Sequence, residues 1–312
     1  MSFSSKIKNR LSRQDYDEVC CQKAELSGII RVSGRIGFKG RNKVDVTITT
    51  ENPAVARLVF TLFKKSMNIH TEIKIEKNRQ LKKSHSYEIV VDDAMEVLKE
   101  LEIITDQPYF MINDSVPEKL IKDTCCKRSY IRGVFLGSGS VSDPEKGYHL
   151  EFVSHSLGFA ESFVELINSF ELNAKVIERK GNHVVYIKEG DKIVDLLNII
   201  GAHKALMDFE NVRIVKQMRN SVNRIVNCET ANLSKTINAS YRQTKSIRLI
   251  MDTVGLGALP ENLREIALLR LEHDEMSLAE LGELLNPKVG KSGVNHRLKK
   301  IEKFAEELRQ QN

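Results

Sequence analysis

Apolar and small residues alternate along two stretches of this chain in the same way. In the first, Ala24, Gly28 and Val32 recur every fourth residue while Leu26, Ile29 and Ile30 fill the remaining faces with bulk. In the second, Ser129, Gly133 and Gly137 take the small positions and Ile131, Val134 and Phe135 the large ones. Residues four apart share a helix face, so each stretch predicts a helix buried on several sides with one narrow stripe of small side chains. Two such stripes let two backbones approach closely. A constant offset of 105 residues carries Cys20-Cys21 onto Cys125-Cys126, Gly28 onto Gly133, Ser33 onto Ser138 and Gly34 onto Gly139. The pattern therefore predicts a duplicated unit built around one central helix pair.

Behind each motif the periodicity changes in the same order. After Gly34 come a polar turn, Phe38 to Asn42, and the alternating run Val44 to Thr49, whose period of two marks a strand. Asn52-Pro53 opens a helix to about Asn68, with proline in its first turn. Strand Thr71 to Glu76, a basic hairpin from Lys77 to Lys83, strand Tyr87 to Val91 and a helix from Asp92 to about Leu101 complete the copy. The second copy offers strand Tyr148 to Val153, helix Gly158 to Phe170, the hairpin strands Ala174 to Arg179 and His183 to Lys188, and helix Asp191 to Ile200. The segment Asp106 to Cys126, with Pro108 and Pro117, joins them.

The last third reads as helical throughout. From Asp208 to about Met251, Arg213, Lys216, Arg219, Arg224, Lys235, Arg242, Lys245 and Arg248 outnumber Asp208, Glu210 and Glu229. Asn220, Asn223, Arg224 and Asn227 share one face there, as a packing seam or as phosphate contacts. Gly255 to Pro260 breaks the run, and Glu261 to Glu272 carries an apolar face of Leu263, Ile266, Ala267, Leu269 and Arg270. Ser277 with Glu280 has the capping-box spacing ahead of Leu278 to Leu285, Asn286 to Gly290 forms a turn, and a further helix starts at Lys291 with Val294, Leu298, Ile301 and Phe304 or Ala305 as its buried stripe. Helix, turn and basic helix is the layout of a DNA-reading module.

Composition narrows the class. The 312 residues, 41% hydrophobic and 29% charged, fit a folded chain of two or three domains. A net charge of +6 fits a polyanionic partner without requiring one. No apolar run reaches the roughly 18 residues of a membrane span, and the first residues lack the apolar core of a signal peptide, so a cytoplasmic, nucleoid-associated protein without membrane contact is expected. The five cysteines form two adjacent pairs and a lone Cys228, with no C-x-x-C spacing. They are expected to be buried free thiols, with no metal and no cofactor.

The twin motifs and their succession resemble the LAGLIDADG fold of homing endonucleases, in which two such helices pack on a pseudo-two-fold axis and two four-stranded sheets form a saddle over DNA. In that family the eighth motif residue is an acid that ligates the catalytic metal; here those degenerate metal positions are Ser33 and Ser138. A neutral hydroxyl is a poor ligand for a hard cation. Asp45 and Asp143 are the neighbouring acids that a displaced site would need, but they fall on a strand and a loop. Taken with Asn223 to Asn232, Ser277 to Gly282 and Lys291 to Ile301, the whole chain resembles the WhiA family of Gram-positive bacteria. That resemblance implies a DNA-binding regulator of sporulation in mycelial bacteria, active in cell division and chromosome segregation elsewhere, with a C-terminal module similar to region 4 of sigma factors.

The expected fold class is α+β: a duplicated LAGLIDADG-like αββαββα saddle over residues 1–207 (repeats about 15–105 and 120–205), a basic helical connector over 208–255, and an all-α helix-turn-helix domain over 256–312. The expected function is non-catalytic: transcriptional regulation through double-stranded DNA, with RNA polymerase or another regulator as a further partner. Candidate DNA-binding residues are Ser277, Lys288, Lys291, Ser292, Asn295, His296, Arg297, Lys299 and Lys300, with Asn295 and Arg297 as candidate base readers. Arg35, Lys39, Arg41, Lys43, Lys74, Lys77, Arg79, Lys82 and Lys83 form a candidate second DNA surface on the saddle. Two alternatives stand beside this reading: a protein-interaction adaptor of the division or transcription machinery, and a metal-dependent endonuclease.

Overall fold

The serine at position 2 starts the first helix: its hydroxyl accepts a hydrogen bond from the Ser5 N–H, and α1 (Phe3–Leu11) buries Ile7 and Leu11. Nothing in the motif pattern announces this helix. Its Ser4 hydroxyl donates to the Val141 carbonyl at 2.7 Å and accepts from the Val141 N–H at 2.8 Å, which ties the N-terminus to the second repeat. The computed structural model describes residues 2–14, 18–39, 43–77, 85–105 and 111–311, the side chains of Lys77 and Gln311 excepted.

The first repeat runs α2 (Val19–Ser33), β1 (Gly34–Phe38), β2 (Val44–Thr50), α3 (Pro53–Met67), β3 (Glu72–Lys77), β4 (His85–Val91) and α4 (Met95–Glu100). The start of α3 follows from its sequence, since the Asn52 side chain accepts from the Ala54 and Val55 N–H groups and Pro53 fits the first turn; left-handed Asn68 ends it. The pair Asp92-Asp93 does not open α4 as the pattern suggests. Asp93 sits at φ 52° in a turn, and the helix begins only at Met95. The two-residue strands β5 (Ile104–Thr105) and β6 (Met111–Ile112) pair with each other before the second repeat.

That repeat runs α5 (Thr124–Ser138), β7 (Gly139–Val141), β8 (Leu150–Ser154), α6 (Leu157–Asn168), β9 (Lys175–Arg179), β10 (Asn182–Ile187) and α7 (Gly190–Ile199). Each repeat forms a four-stranded sheet, ordered β1-β2-β4-β3 and β7-β8-β10-β9, with every pairing antiparallel. Both sheets thus have the same topology. The short strands β1 and β7 follow the motif helices directly, and their few residues are too short to show a period of two.

The helices α2 and α5 cross where the small residues fall. A Cβ added at Gly28 would lie 2.5 Å from the Tyr130 carbonyl oxygen and 3.0 Å from the Val134 nitrogen, and one added at Gly133 would strike the backbone of Glu25. Only glycine fits at this approach. Beside it lies an ion pair that the pattern does not reveal: Glu25 and Arg132 are 1% and 4% exposed, and Arg132 donates through Nε at 2.9 Å and Nη2 at 2.8 Å to the two carboxylate oxygens. Nη2 also reaches Ser129 Oγ at 3.3 Å. The buried charges are therefore matched in fork geometry.

Next comes α8 (His203–Thr253), one helix of 51 residues where the sequence suggested a separate connector. The chain divides into two compact units at Val215/Lys216, inside this helix. Its first turns add Ala205 and Phe209 to the core of the first unit. In the second unit, Ile247 and Ile250 of α8 join Leu263, Ile266 and Ala267 of α9 (Glu261–Glu272), Leu281 of α10 (Leu278–Leu284), and Val294, Leu298, Ile301 and Ala305 of α11 (Lys291–Gln311). Asn220, Asn223, Arg224 and Asn227 are exposed. Among the described residues, no helix is long and apolar enough to cross a membrane.

Removing one member of a buried pair leaves the other charge without compensation, at a cost of about 3–5 kcal/mol, whereas replacing both with apolar groups of similar volume is often neutral. Arg132→Met should accordingly destabilise the protein by that amount in urea unfolding followed by circular dichroism. The double variant Glu25→Leu/Arg132→Met should recover most of the loss. If the single variant unfolds at the wild-type midpoint, the pair is not the constraint its burial implies.

Candidate nucleic-acid interface

The helix-turn-helix is positioned by a short list of local devices. Ser277 accepts a hydrogen bond from the Glu280 N–H, and the Glu280 carboxylate accepts from the Ser277 N–H at 2.7 Å, so the capping box forms as its spacing predicts. That N–H holds the Glu280 carboxyl below its usual pKa. Past α10 the chain folds back over Gly282: the Val289 N–H donates to the Gly282 carbonyl at 3.0 Å, and a Cβ at Gly282 would collide with the Val289 oxygen. Inside the unit Arg270 is fully buried, and its Nη1 donates to the carbonyls of His273, Asp274 and Met276, at 2.8 Å for the last. A residue counted on an apolar face thus serves as the internal cap of the α9–α10 loop. Its signal in the sequence was only a charge at a core position.

On α11 the buried stripe of Val294, Leu298, Ile301 and Ala305 fixes which residues turn outward. Ser292, Asn295, His296 and Lys299 follow the i, i+3, i+4, i+7 spacing and share the opposite face. Ser292, His296 and Lys299 are exposed and Asn295 is half-buried. None of the four side chains makes a hydrogen bond or ion pair among the described residues. Lys291 and Lys300 are exposed on the flanks. The other candidates are placed differently. Half-buried Arg297 does not share the outer face, and its guanidinium reaches the Asn262 carbonyl of α9 at 3.5 Å. The Ser277 hydroxyl is committed to its cap, and Lys288 is paired with Glu283 at 2.6 Å.

The first sheet is less basic than its lysines suggest. Strand alternation and register place Arg35, Lys39, Lys43 and Lys74 on one face together with Asp45, Glu72, Glu76 and Glu88. The charges balance. Lys39 is paired with Asp45 and, at 3.4 Å, with Asp92, and those carboxylates raise its pKa. Lys74 stands opposite Glu88. Arg41, Arg79, Lys82 and Lys83 lie outside the described residues, as does the side chain of Lys77.

The equivalent face of the second sheet, which the sequence reading passed over, carries Lys175, Arg179 and Lys188 against one acid, Glu151. Glu151 contacts the His149 ring at 3.0 Å, His149 stacks on Tyr186, and the Lys188 ammonium lies 4.8 Å from the Tyr186 ring centre. Basic groups around a half-buried aromatic ring are among the makings of a nucleic-acid surface. The signal was present as alternation, but in strands shorter than the lysine-rich hairpin that drew the first assignment.

The two motif serines close the helices α2 and α5. Ser33 Oγ donates to the Ile29 carbonyl at 2.6 Å, and a Cβ on Gly137 of α5 would lie 3.4 Å from that oxygen. The Ser138 hydroxyl is buried and has no partner among the described residues. Asp45 is engaged by Lys39, and Asp143 accepts from the Glu145 N–H in the turn after β7. The five cysteines are all free, but Cys20, Cys125 and Cys228 are exposed, and only Cys21 and Cys126 are buried as expected.

Comparison with known proteins covers both units. Residues 19–104 match the model of the WhiA N-terminal LAGLIDADG-like domain, residues 127–219 that of the WhiA LAGLIDADG-like domain, and residues 222–305 that of the WhiA C-terminal HTH domain. The chain is 54% identical over 313 residues to the "Probable cell division protein WhiA" of Alkaliphilus metalliredigens, covering 99% of each chain. It is 55% identical over 317 residues to the protein of the same name from Clostridium novyi, covering 100% of this chain and 99% of that one. Among solved structures, the full-length DUF199/WhiA from Thermatoga maritima matches with a TM-score of 0.62 and 29% identity over 98% of this chain and 99% of that one.

An N-cap hydroxyl contributes about 1 kcal/mol to its helix. Ser277→Ala should lower the stability of the helix-turn-helix by that amount in urea unfolding. Because the Glu280 pKa is depressed by its bond to the Ser277 N–H, the contribution of that carboxylate is present above its unfolded-state pKa and fades as the pH falls through the folded value. Glu280→Gln should flatten this acid-side dependence. An unchanged pH profile in that variant would separate the cap from the stability of the unit.

Proposed function

The chain belongs to the WhiA family, and on that premise we propose that it is a non-catalytic DNA-binding protein, a transcriptional regulator serving cell division, chromosome segregation and sporulation in the cytoplasm. The observation that carries this reading is the outer face of α11, where Ser292, Asn295, His296 and Lys299 stand together with no partner among the described residues. A helix presented this way from a helix-turn-helix can enter a major groove, with Asn295 suited to a base edge and Lys299 to a phosphate. Lys291 and Lys300 add phosphate contacts at its flanks. The second sheet, through Lys175, Arg179, Lys188 and Tyr186, is the better-supported second DNA surface.

Ser33 and Ser138 favour the non-catalytic reading. Phosphodiester hydrolysis by a divalent metal needs carboxylates to hold the cation and balance its charge, and these positions supply hydroxyls.

Fluorescence titration with duplex DNA at several salt concentrations tests the proposal. Affinity should fall steeply with salt, and Lys299→Ala should lower the log–log salt slope by about 1 for every sequence. Asn295→Ala should cost about 1–3 kcal/mol at a preferred site and little at random DNA. Arg297→Ala should leave sequence preference unchanged. Absence of binding at any salt would replace DNA by a protein partner, and chelator-sensitive nicking of supercoiled plasmid in Mg²⁺ would overturn the non-catalytic assignment.

A further inference from the structure

Four sulfur atoms meet at the start of the central helix pair. Cys20 and Cys21 lie in the first turn of α2, and Cys125 and Cys126 lie in the first turn of α5, at equivalent positions of the two repeats. The Sγ atoms of Cys20, Cys21 and Cys126 all lie within 4.8 Å of one another, and Cys125 Sγ is 4.0 Å from Cys126 Sγ. We propose that Cys20, Cys21, Cys125 and Cys126 form a closed thiolate site for one thiophilic cation of the Zn²⁺ class.

The geometry is close to what such an ion requires. Tetrahedral Zn²⁺ binds sulfur at about 2.3 Å, which places neighbouring sulfurs about 3.8 Å apart. Among Cys20, Cys21 and Cys126 the separations need a contraction of no more than about 1 Å, within reach of a side chain with a single torsion, and Cys125 joins them from beside Cys126. Thiolate is the soft ligand that selects such a cation over the hard ions favoured by carboxylates.

A packing role explains Cys21 and Cys126 but not their exposed neighbours. Buried cysteine behaves as a small hydrophobe, whereas Cys20 and Cys125 are open to solvent. One exposed and one buried thiol from each helix give an ion both an entry and an interior. Cys21 and Cys125 also line one open hollow with Arg128 and Ser129.

Loading must work against burial at two of the four thiols. Burial pushes the Cys21 thiol up to about 11, and that of Cys126 higher still. Binding exchanges four S–H bonds for four metal–sulfur bonds and releases four protons to solvent. The positive ends of two helices and the Arg128 guanidinium offset the excess negative charge that results. Ser129, which bonds to Cys21 and accepts from Arg132, joins the cluster to the buried Glu25–Arg132 pair. Four protein ligands leave no open position for substrate, so the site is structural: it clamps the two repeats at their shared helices.

The test uses the full chain, reduced, stripped with chelator and titrated with Co²⁺ and then Zn²⁺. Expected are thiolate-to-cobalt charge-transfer bands saturating at one equivalent, their loss on adding Zn²⁺, and a rise in the unfolding temperature with Zn²⁺. The bands should vanish in Cys21→Ser/Cys126→Ser and persist in Cys228→Ser. Should the double variant fail to fold, alkylation of the unmutated protein read by mass spectrometry decides: Zn²⁺ should protect the four clustered cysteines while Cys228 stays reactive. Equal alkylation with and without Zn²⁺, absence of cobalt bands, or an air-formed disulfide between the pairs that persists in Zn²⁺ would overturn the proposal.

Discussion

The crossing of α2 and α5 is the constraint on which the first unit depends. Backbone meets backbone at Gly28 and Gly133, where a single Cβ would sit 2.5 Å or less from a carbonyl oxygen. Each motif helix is covered by the other, with the small stripe of one set against the backbone of its counterpart. Close-packed interiors transmit such restrictions without slack. The sheets inherit their placement from it, since β1 and β7 continue directly from the last turns of the two helices.

That contact also explains why polar groups are tolerated in the middle of the unit. Glu25 and Arg132 do not occupy equivalent positions in the two repeats; under the 105-residue offset Tyr130 matches Glu25 and Ser27 matches Arg132. The pair therefore breaks the internal symmetry and records which repeat is which. Buried ion pairs contribute little net stability relative to apolar replacements. A role in fixing the register of two otherwise similar helices is consistent with its position at their crossing.

The second unit achieves order differently, through caps rather than close helix contact. Ser277 and Glu280 satisfy the start of α10, Arg270 satisfies three carbonyls of the loop before it, and Gly282 lets the chain return across it. These devices leave the outer face of α11 without structural duties. In the saddle the same separation holds for the second sheet, whereas on the first sheet the bases are offset by acids. A count of lysines and arginines along the chain does not distinguish these cases; their partners do.

The sequence by itself determined the duplication, the two motif helices, the cap that starts α3, the capping box of α10 and the buried stripe of α11, because each is a local pattern written in consecutive turns or strands. The absence of carboxylates at Ser33 and Ser138 was equally plain, since it needs only residue identity in register. Only the tertiary structure decided that Arg270 is an internal cap, that Arg297 leans on α9, that Lys39 is neutralised by Asp45 and Asp92, and that Glu25 meets Arg132 across 107 positions. It also gathered two cysteine pairs, unremarkable in their spacing, into one cluster. The physical reason is common to all of these: charge neutralisation, burial and ligand geometry depend on which groups lie within a few ångströms, and contacts between residues far apart in the chain leave no periodicity along it.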